Sequence, residues 1–236
     1  MIVILLYSRF IQRNIMSVIQ ISVNQKTFIK DPTSSDLGRR IVSQGIESMN
    51  TLGFEQFTFR KLGSEIGSTE ASIYRYFESK HKMLLYFISW YWNWTDYRLS
   101  LALTNVESAD DRLKRAIHLL TAETKEDGNF LHVNETKLQR IVIEESSKAY
   151  HQKFVDEINK EGVFSDYKRI VETIADIILE INPTYKYPHM LISTVIEGTH
   201  HERFFADHLP RLTDSLKGED SIECFFQQLV HDTIQK

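Results

Sequence analysis

The chain has 236 residues, of which 42% are hydrophobic and 25% are charged, a balance typical of a soluble globular protein with one or two cores. Only four prolines and nine glycines interrupt it, and no short alternating apolar segments lie between turn clusters, so the sequence predicts an all-α fold. The single cysteine, Cys224, excludes an internal disulfide and favours a cytoplasmic protein. The apolar run at residues 1–6 is too short for a membrane anchor, so no membrane partner is expected.

The net charge of −4 hides an uneven distribution. Residues 1–82 carry eleven Lys/Arg and seven Asp/Glu, which gives +4, whereas residues 83–236 carry seventeen and twenty-five, which gives −8. Only the first part therefore suits the phosphate backbone of DNA.

The predicted elements begin after a flexible N-terminal arm, residues 1–34, in which Met16 is the expected start and residues 1–15 are extra translated sequence. Ser35 or Asp36 caps a first helix, whose apolar residues recur at helical spacing. Those residues are Leu37, Ile41, Ile46 and Met49. Gly53 ends this segment, and Thr58 caps a second helix.

A tight turn at Gly67 and Ser68 follows the second helix. Thr69 then caps a short third helix, Glu70 to Tyr76, which has the size of a DNA recognition helix. Ser79 caps a much longer fourth helix. The spacing of these elements predicts a helix-turn-helix.

The stretch Gly67-Ser-Thr-Glu-Ala-Ser-Ile-Tyr-Arg-Tyr-Phe-Glu-Ser-Lys80 is similar to the pattern of Gly, capping Ser/Thr, Leu/Ile-Tyr pair, Tyr-Phe and Ser-Lys of the TetR (tetracycline repressor-like) family. Upstream, Ile41, Gly53-Phe54, Thr58, Arg60 and Leu62 fall at the expected spacings. Residues 39–80 thus resemble the DNA-binding domain of that family without a gap. The resemblance implies a helix-turn-helix domain over residues 35–82, followed by a helical effector-binding and dimerisation domain over residues 83–236.

A recognition helix enters the major groove only if small or polar side chains line its outward face. Ile73 and Phe77 should point inward and fix this helix, while Lys80 adds a cation at a helix N-terminus and can clamp a phosphate. Arg60 matches a family position that can reach a base, and arginine suits guanine O6 and N7. The residues expected to contact DNA are Thr58, Arg60, Thr69, Glu70, Ala71, Ser72, Tyr74, Arg75, Tyr76 and Lys80.

The sequence also departs from the family at Glu70, Ser68 and Glu78, where a basic or polar residue, an apolar residue and a proline are common. Glu70 and Glu78 would repel phosphates. Either Glu70 accepts a hydrogen bond from a cytosine amine, or affinity is modest and depends on the cations nearby.

An aromatic stripe at three- and four-residue spacing marks the fourth helix and is the candidate effector pocket: Phe87, Trp90, Trp94 and Tyr97. Ordinary core packing and dimer contacts would give the same pattern. The aromatic content favours a hydrophobic or aromatic small-molecule effector. Further helices are predicted at about 109–124, 135–150, 166–181, 186–207 and 220–235, punctuated by Pro183, Pro188 and Pro210.

The last two helices resemble, by position, the pair that forms a four-helix dimer bundle in the family. The apolar face expected to form this interface is Ile222, Phe225, Phe226, Leu229 and Val230. A homodimer is predicted, because two recognition helices must meet successive major grooves of a near-palindromic operator.

An enzyme is the other class considered, on the cluster Glu197, His200, His201, Glu202 and His208. A zincin needs His-Glu-x-x-His, but Phe205 stands where the second histidine would be. We expect no catalytic residues, no metal and no cofactor. The prediction is a repressor on double-stranded operator DNA that a small molecule releases by moving the fourth helix, with an activator and a ligand-free adaptor or chromosome-associated protein as alternatives.

Overall fold

The computed structural model describes residues 21–126, 130 and 132–235, and its regular structure over those ranges is entirely helical. The all-α prediction is confirmed. Two short 3-10 helices, Gln25–Thr27 and Pro32–Ser34, come first. The α-helices are α1 (Asp36–Gln56), α2 (Phe59–Glu65), α3 (Glu70–Tyr74), α4 (Lys80–Leu103), α5 (Ala109–Thr121), α6 (Glu135–Glu145), α7 (Ser147–Tyr150), α8 (Val155–Lys160), α9 (Ser165–Ile181), α10 (Pro188–His208) and α11 (Ser221–Ile234). No helix in those ranges is long and apolar enough to cross a membrane.

The first four α-helices begin where the sequence predicts. Ser35, Thr58, Thr69 and Ser79 each accept a hydrogen bond from the backbone N–H three residues later, at 3.1–3.2 Å. Such a bond satisfies one of the amide donors that the first turn of a helix leaves unpaired. The four predicted N-caps are confirmed.

Helix α4 is the central element of the fold. Its residues 83–92 are all buried, so that helix packs on more than one side. One side contacts the N-terminal helices, where Phe87 and Met83 lie against Gly45 of α1. The other sides contact α5, α6 and α9. A single helix therefore crosses the predicted domain boundary between residues 82 and 83.

The C-terminal helices pack in layers around α4. Helix α9 lies between α4 and α10, and α11 packs against α5 and α10. The helices predicted from residue 109 onward correspond to α5, α6 with α7, α9, α10 and α11. The predicted helix at 135–150 is divided at Ser146, and the short helix α8 has no counterpart in the prediction.

The described part of the predicted arm, residues 21–34, is packed against the helices rather than loose. The backbone N–H of Asn24 donates to Ser89 Oγ at 3.4 Å, and its side-chain amide donates to the Glu161 carbonyl at 3.1 Å. The N–H of Ile29 donates to the Tyr76 carbonyl at 2.7 Å. These acceptors hold the segment against both parts of the chain. Residues 1–15 and Met16 lie outside the described residues.

Candidate nucleic-acid interface

The turn between α2 and α3 depends on two glycines. Gly67 has φ +61°, a left-handed conformation that glycine adopts without strain. At Gly63, a Cβ would lie 2.9 Å from the Ser68 carbonyl oxygen. Any larger residue at this position would therefore force the backbone to shift. The Ser68 N–H donates to the Gly63 carbonyl at 2.8 Å and closes the turn. Sequence reasoning missed Gly63, although a glycine within a short predicted helix signals close backbone approach.

Helix α3 is fixed from behind. Ile73 and Phe77 are fully buried, as the sequence predicts. The end of α2 is held by α1, because the Arg40 guanidinium donates to the Ile66 carbonyl and Gln44 donates to Glu65 at 3.0 Å. Arginine at position 40 thus satisfies a carbonyl that the end of α2 leaves open. The orientation of α2 and α3 is set by these contacts.

The outward side of α2 and α3 is polar and open. Exposed residues there are Thr58, Arg60, Thr69, Glu70, Ala71, Tyr74 and Arg75, and Ser72 is half-buried. The Ser72 hydroxyl lies 2.8 Å from Thr69 Oγ and accepts from Arg75 at 3.3 Å. The Tyr74 ring packs edge-on against Phe59, with 5.0 Å between centroids, and the side chain is 47% exposed. Seven of the ten predicted DNA contacts are therefore exposed, and two, Ser72 and Lys80, are half-buried.

Tyr76 differs from the prediction. It is 4% exposed, and its hydroxyl lies 2.7 Å from Ser35 Oγ and 3.5 Å from Lys30 Nζ. The hydrogen bond with Ser35 lowers the pKa of this phenol. Tyr76 follows Ile73 by three residues, so it shares the inward side of the segment. Its hydroxyl anchors the N-terminal segment and does not face the groove.

Lys80 also differs from the prediction. Its Nζ donates to the carbonyls of Phe54 and Glu55 at 2.9 and 3.1 Å, and lies 4.5 Å from the centre of the Phe54 ring. These carbonyls end α1, where a cation is favourable. The ammonium group therefore binds the end of α1 and not the position predicted for a phosphate.

A buried carboxylate joins the C-terminal part of the chain to this end of α1. Gly53 kinks α1 with φ +71°, and Glu145, 6% exposed, accepts a hydrogen bond at 2.8 Å from the Phe54 N–H that the kink frees. Lys148 donates to the same carboxylate and lies 3.8 Å from Glu55. We call Gly53, Phe54, Glu145 and Lys148 the α1–α6 junction.

Sequence reasoning missed Glu145, although a signal was available. Glu145 continues the buried face of α6, which also holds Leu138, Ile141 and Val142. A carboxylate at such a position needs a buried partner. The spacing alone marks Glu145 as a structural carboxylate.

The predicted effector residues are mostly core residues. Phe87, Trp90 and Trp94 are 1–6% exposed, and Tyr97 is half-buried. Phe87 packs against α1, with its Cζ 3.2 Å from the position of a Cβ on Gly45, so it belongs to the contact between α1 and α4. Trp94 lines a cavity of about 620 Å³.

The predicted dimer face is divided between two sides of α11. Ile222, Phe226 and Val230 are 1–7% exposed and pack inside the protomer, whereas Phe225 is 55% exposed and Leu229 is half-buried. A four-residue spacing places the three buried residues on one helical face. The prediction is corrected to this extent: those three residues are core residues, and a partner could reach Phe225.

The histidine cluster of α10 is spread over two sides of the helix. His200 is buried near Trp92, with 6.0 Å between ring centroids, and burial lowers the pKa of His200 to about 4. His201 is exposed and stacks on Phe205 at 6.1 Å. Across the ranges that the structure describes, no three His, Cys, Asp or Glu residues converge in a way that could hold a metal ion.

Residues 41–87 match the family model described as bacterial regulatory proteins, tetR family. The fold is similar to the crystal structure of superantigen PfiT, with a TM-score of 0.57 and 14% identity over 86% of this chain and 98% of that one. The crystal structure of a putative transcriptional regulator from Saccharomonospora viridis in complex with choline is similar with a TM-score of 0.56 and 19% identity, over 84% of this chain and 94% of that one. The crystal structure of AibR in complex with isovaleryl coenzyme A and operator DNA is similar with a TM-score of 0.53 and 11% identity, over 83% of this chain and 98% of that one. A comparison with curated protein sequences gives no significant match.

The family match covers the segment in which the glycine turn, the helix caps and the exposed polar face occur. The solved structures share the fold of the remaining helices. Residues 41–87 are therefore a DNA-binding domain of the kind found in the tetR family of bacterial regulatory proteins, and the chain is a DNA-binding regulator of transcription.

Proposed function

We propose that the chain is a cytoplasmic repressor, without catalytic activity, that binds operator DNA as a homodimer and is released by a small molecule. The observation that carries this proposal is the exposed polar face of α2 and α3, held by a fully buried Ile73 and Phe77. A rigid, outward polar helix after a tight turn suits insertion into the major groove.

The exposed side chains have distinct proposed roles. Arg60 reads a base, since a guanidinium pairs with guanine O6 and N7. The Tyr74 hydroxyl, which has no hydrogen-bond partner among the described residues, donates to a phosphate. Arg75, held by Ser72, contributes a second cation to the DNA face. Glu70 accepts from a cytosine amine.

Release requires that the C-terminal helices act on this face. Helix α4 runs from the helix-turn-helix into the C-terminal core, and the α1–α6 junction is a second connection. The choline complex and the isovaleryl coenzyme A complex with operator DNA support a ligand-binding role for this fold. A coupling free energy of about 1–3 kcal/mol between the two sites is enough for release.

The dimer is proposed to form through the exposed sides of α10 and α11. Met190 on α10 and Phe225 on α11 are 66% and 55% exposed, which is unusual for large apolar side chains. Twofold pairing of these helices would set two recognition helices on one side of the dimer.

Fluorescence anisotropy with a labelled duplex from upstream of the chain's own gene tests the proposal. Arg60→Ala should weaken binding by about 5- to 150-fold, because one base contact contributes about 1–3 kcal/mol. Arg211→Ala removes another exposed arginine, between α10 and α11, and should leave the affinity unchanged. Affinity should fall steeply with salt. Equal affinity for a random duplex of the same length would contradict the proposal.

A further inference from the structure

A cavity of about 620 Å³ opens beside the C-terminal half of α4. It lies between that helix, the end of α5 and the start of α11, and its lining includes Trp94, Arg98, Lys125 and Glu223. Its volume falls within the range of sites that hold small organic ligands. Because α4 also carries the helix-turn-helix, a molecule bound here would contact the helix that reaches the DNA interface.

Trp94 supplies an unpaired donor to this site. Its side chain is 1% exposed, and its indole N–H meets no hydrogen-bond acceptor within the described part of the chain. Buried donors in folded proteins are almost always paired, so the indole calls for an acceptor atom. The Trp94 ring itself is already packed, since Trp90 stacks on it with 6.1 Å between centroids, so a ligand meets the indole through its N–H.

Two cations at the cavity have no carboxylate partner among the residues that the structure describes. The Arg98 guanidinium lies over the Trp94 ring, 4.5 Å from its centroid, and forms no ion pair with any described residue. Lys125 is exposed and equally forms no ion pair in that part of the chain. An arginine next to an indole N–H offers donors that suit a planar oxyanion.

Four carboxylates also line this cavity, and three of them have a basic side chain nearby. Asp220 pairs with Arg203, and although burial alone would raise the pKa of Asp220, the Arg203 hydrogen bond contributes to lowering it. Glu223 lies 2.7 Å from His118 Nδ1. Glu123, which is 80% exposed, lies 3.7 Å from Arg203, and Glu126 forms no ion pair within the described part of the chain.

We propose that this cavity is the effector site of the repressor and that the effector is an organic carboxylate. The inference rests on the proposed function and adds to it the place and the chemical class of the ligand. The carboxylate accepts from the Trp94 N–H and pairs with Arg98. Binding pulls on the C-terminal half of α4 and thereby changes the position of the helix-turn-helix.

Isothermal titration of the full chain with three naphthalene probes tests this site. The probes are naphthalene-2-carboxylate, its neutral carboxamide and 2-naphthylmethylammonium. The carboxylate should bind at least about tenfold more tightly than the carboxamide, and the ammonium should bind most weakly. Arg98→Gln should lower the affinity for the carboxylate to that for the carboxamide. Trp94→Phe should weaken the binding of both probes.

Arg211→Gln is the matched control and should leave all three affinities unchanged. Arg98 is partly exposed, so Arg98→Gln keeps the test valid even if Trp94→Phe does not fold. Equal affinity for carboxylate and ammonium in the wild type, or no binding of any probe, overturns the inference. So does a carboxylate preference that survives in Arg98→Gln.

Duplex titrations of the same samples separate this inference from the proposed function. Saturating naphthalene-2-carboxylate should weaken duplex binding by the wild type at least about fivefold. Specific duplex binding that the carboxylate leaves unchanged means that the cavity is not the effector site. A chain that prefers the carboxylate but binds no specific duplex overturns the proposed function and leaves the anion site in place.

Discussion

Glu145 is the residue whose substitution most selectively weakens the contact between α1 and α6. Its carboxylate is buried, accepts the Phe54 N–H at 2.8 Å and pairs with Lys148. Replacing it with alanine removes both partners at once and leaves a buried backbone donor unpaired. Replacing it with glutamine keeps an oxygen that can still accept from Phe54 but removes the charge.

The magnitudes follow from these contacts. A hydrogen bond between a charged group and a buried N–H contributes about 1.5–3 kcal/mol. The ion pair adds less than about 1 kcal/mol, because Lys148 is 35% exposed to solvent. Glu145→Ala should therefore lower the free energy of unfolding by about 2–4 kcal/mol, and Glu145→Gln by about 1 kcal/mol.

Urea denaturation followed by tryptophan fluorescence measures both variants. The control is Glu47→Ala, which removes the ion pair between α1 and Lys137 of α6, where both side chains are about one-third exposed. Its loss should stay below about 1 kcal/mol. A Glu145→Ala protein as stable as the wild type would refute this account of the junction, and so would a glutamine variant as unstable as the alanine variant.

Three other substitutions test other parts of the structure. Tyr76→Phe should cost about 1 kcal/mol of stability and leave duplex affinity unchanged, whereas Tyr74→Phe should weaken duplex binding and leave the urea midpoint unchanged. Gly198→Ala places a Cβ 2.8 Å from Phe226 Cζ and should destabilise the chain by about 1–3 kcal/mol in thermal denaturation; an unchanged midpoint would mean that α10 and α11 separate freely. Between pH 6.5 and 4 the unfolded chain binds a proton at His200 that the folded chain does not, so stability should fall by up to about 3 kcal/mol as the pH drops, and His200→Phe should remove that part of the slope in urea titrations.

Features that depend on local sequence were predictable. The caps at Ser35, Thr58, Thr69 and Ser79 follow from short polar side chains ahead of apolar periodicity, and each forms the expected bond. The inward Ile73 and Phe77 follow from their four-residue spacing. A cap or a spacing is decided within one helical turn, so no knowledge of distant contacts is needed.

Features that depend on distant contacts were not predictable in the same way. Lys80 carries an ammonium group that could bind a phosphate. The carbonyls of Phe54 and Glu55 in α1 lie within hydrogen-bond distance and bind it instead. Phe226 and Phe225 are adjacent and equally apolar, and only the position of Gly198 on α10 shows which one is buried. Glu145 finds its donor ninety-one residues away, at a kink in another helix.

The continuity of α4 limits how this regulator can be recombined with others. A chimera joined between residues 82 and 83 would cut the first turn of a helix whose next ten residues are buried. The transplanted helix-turn-helix domain would expose the apolar surface that Phe87 covers on α1. A junction in residues 104–108, after α4 ends, keeps that surface covered but transfers Trp94 and Arg98 together with the helix-turn-helix domain. Exchange of DNA specificity between relatives therefore transfers two residues of the proposed effector site as well.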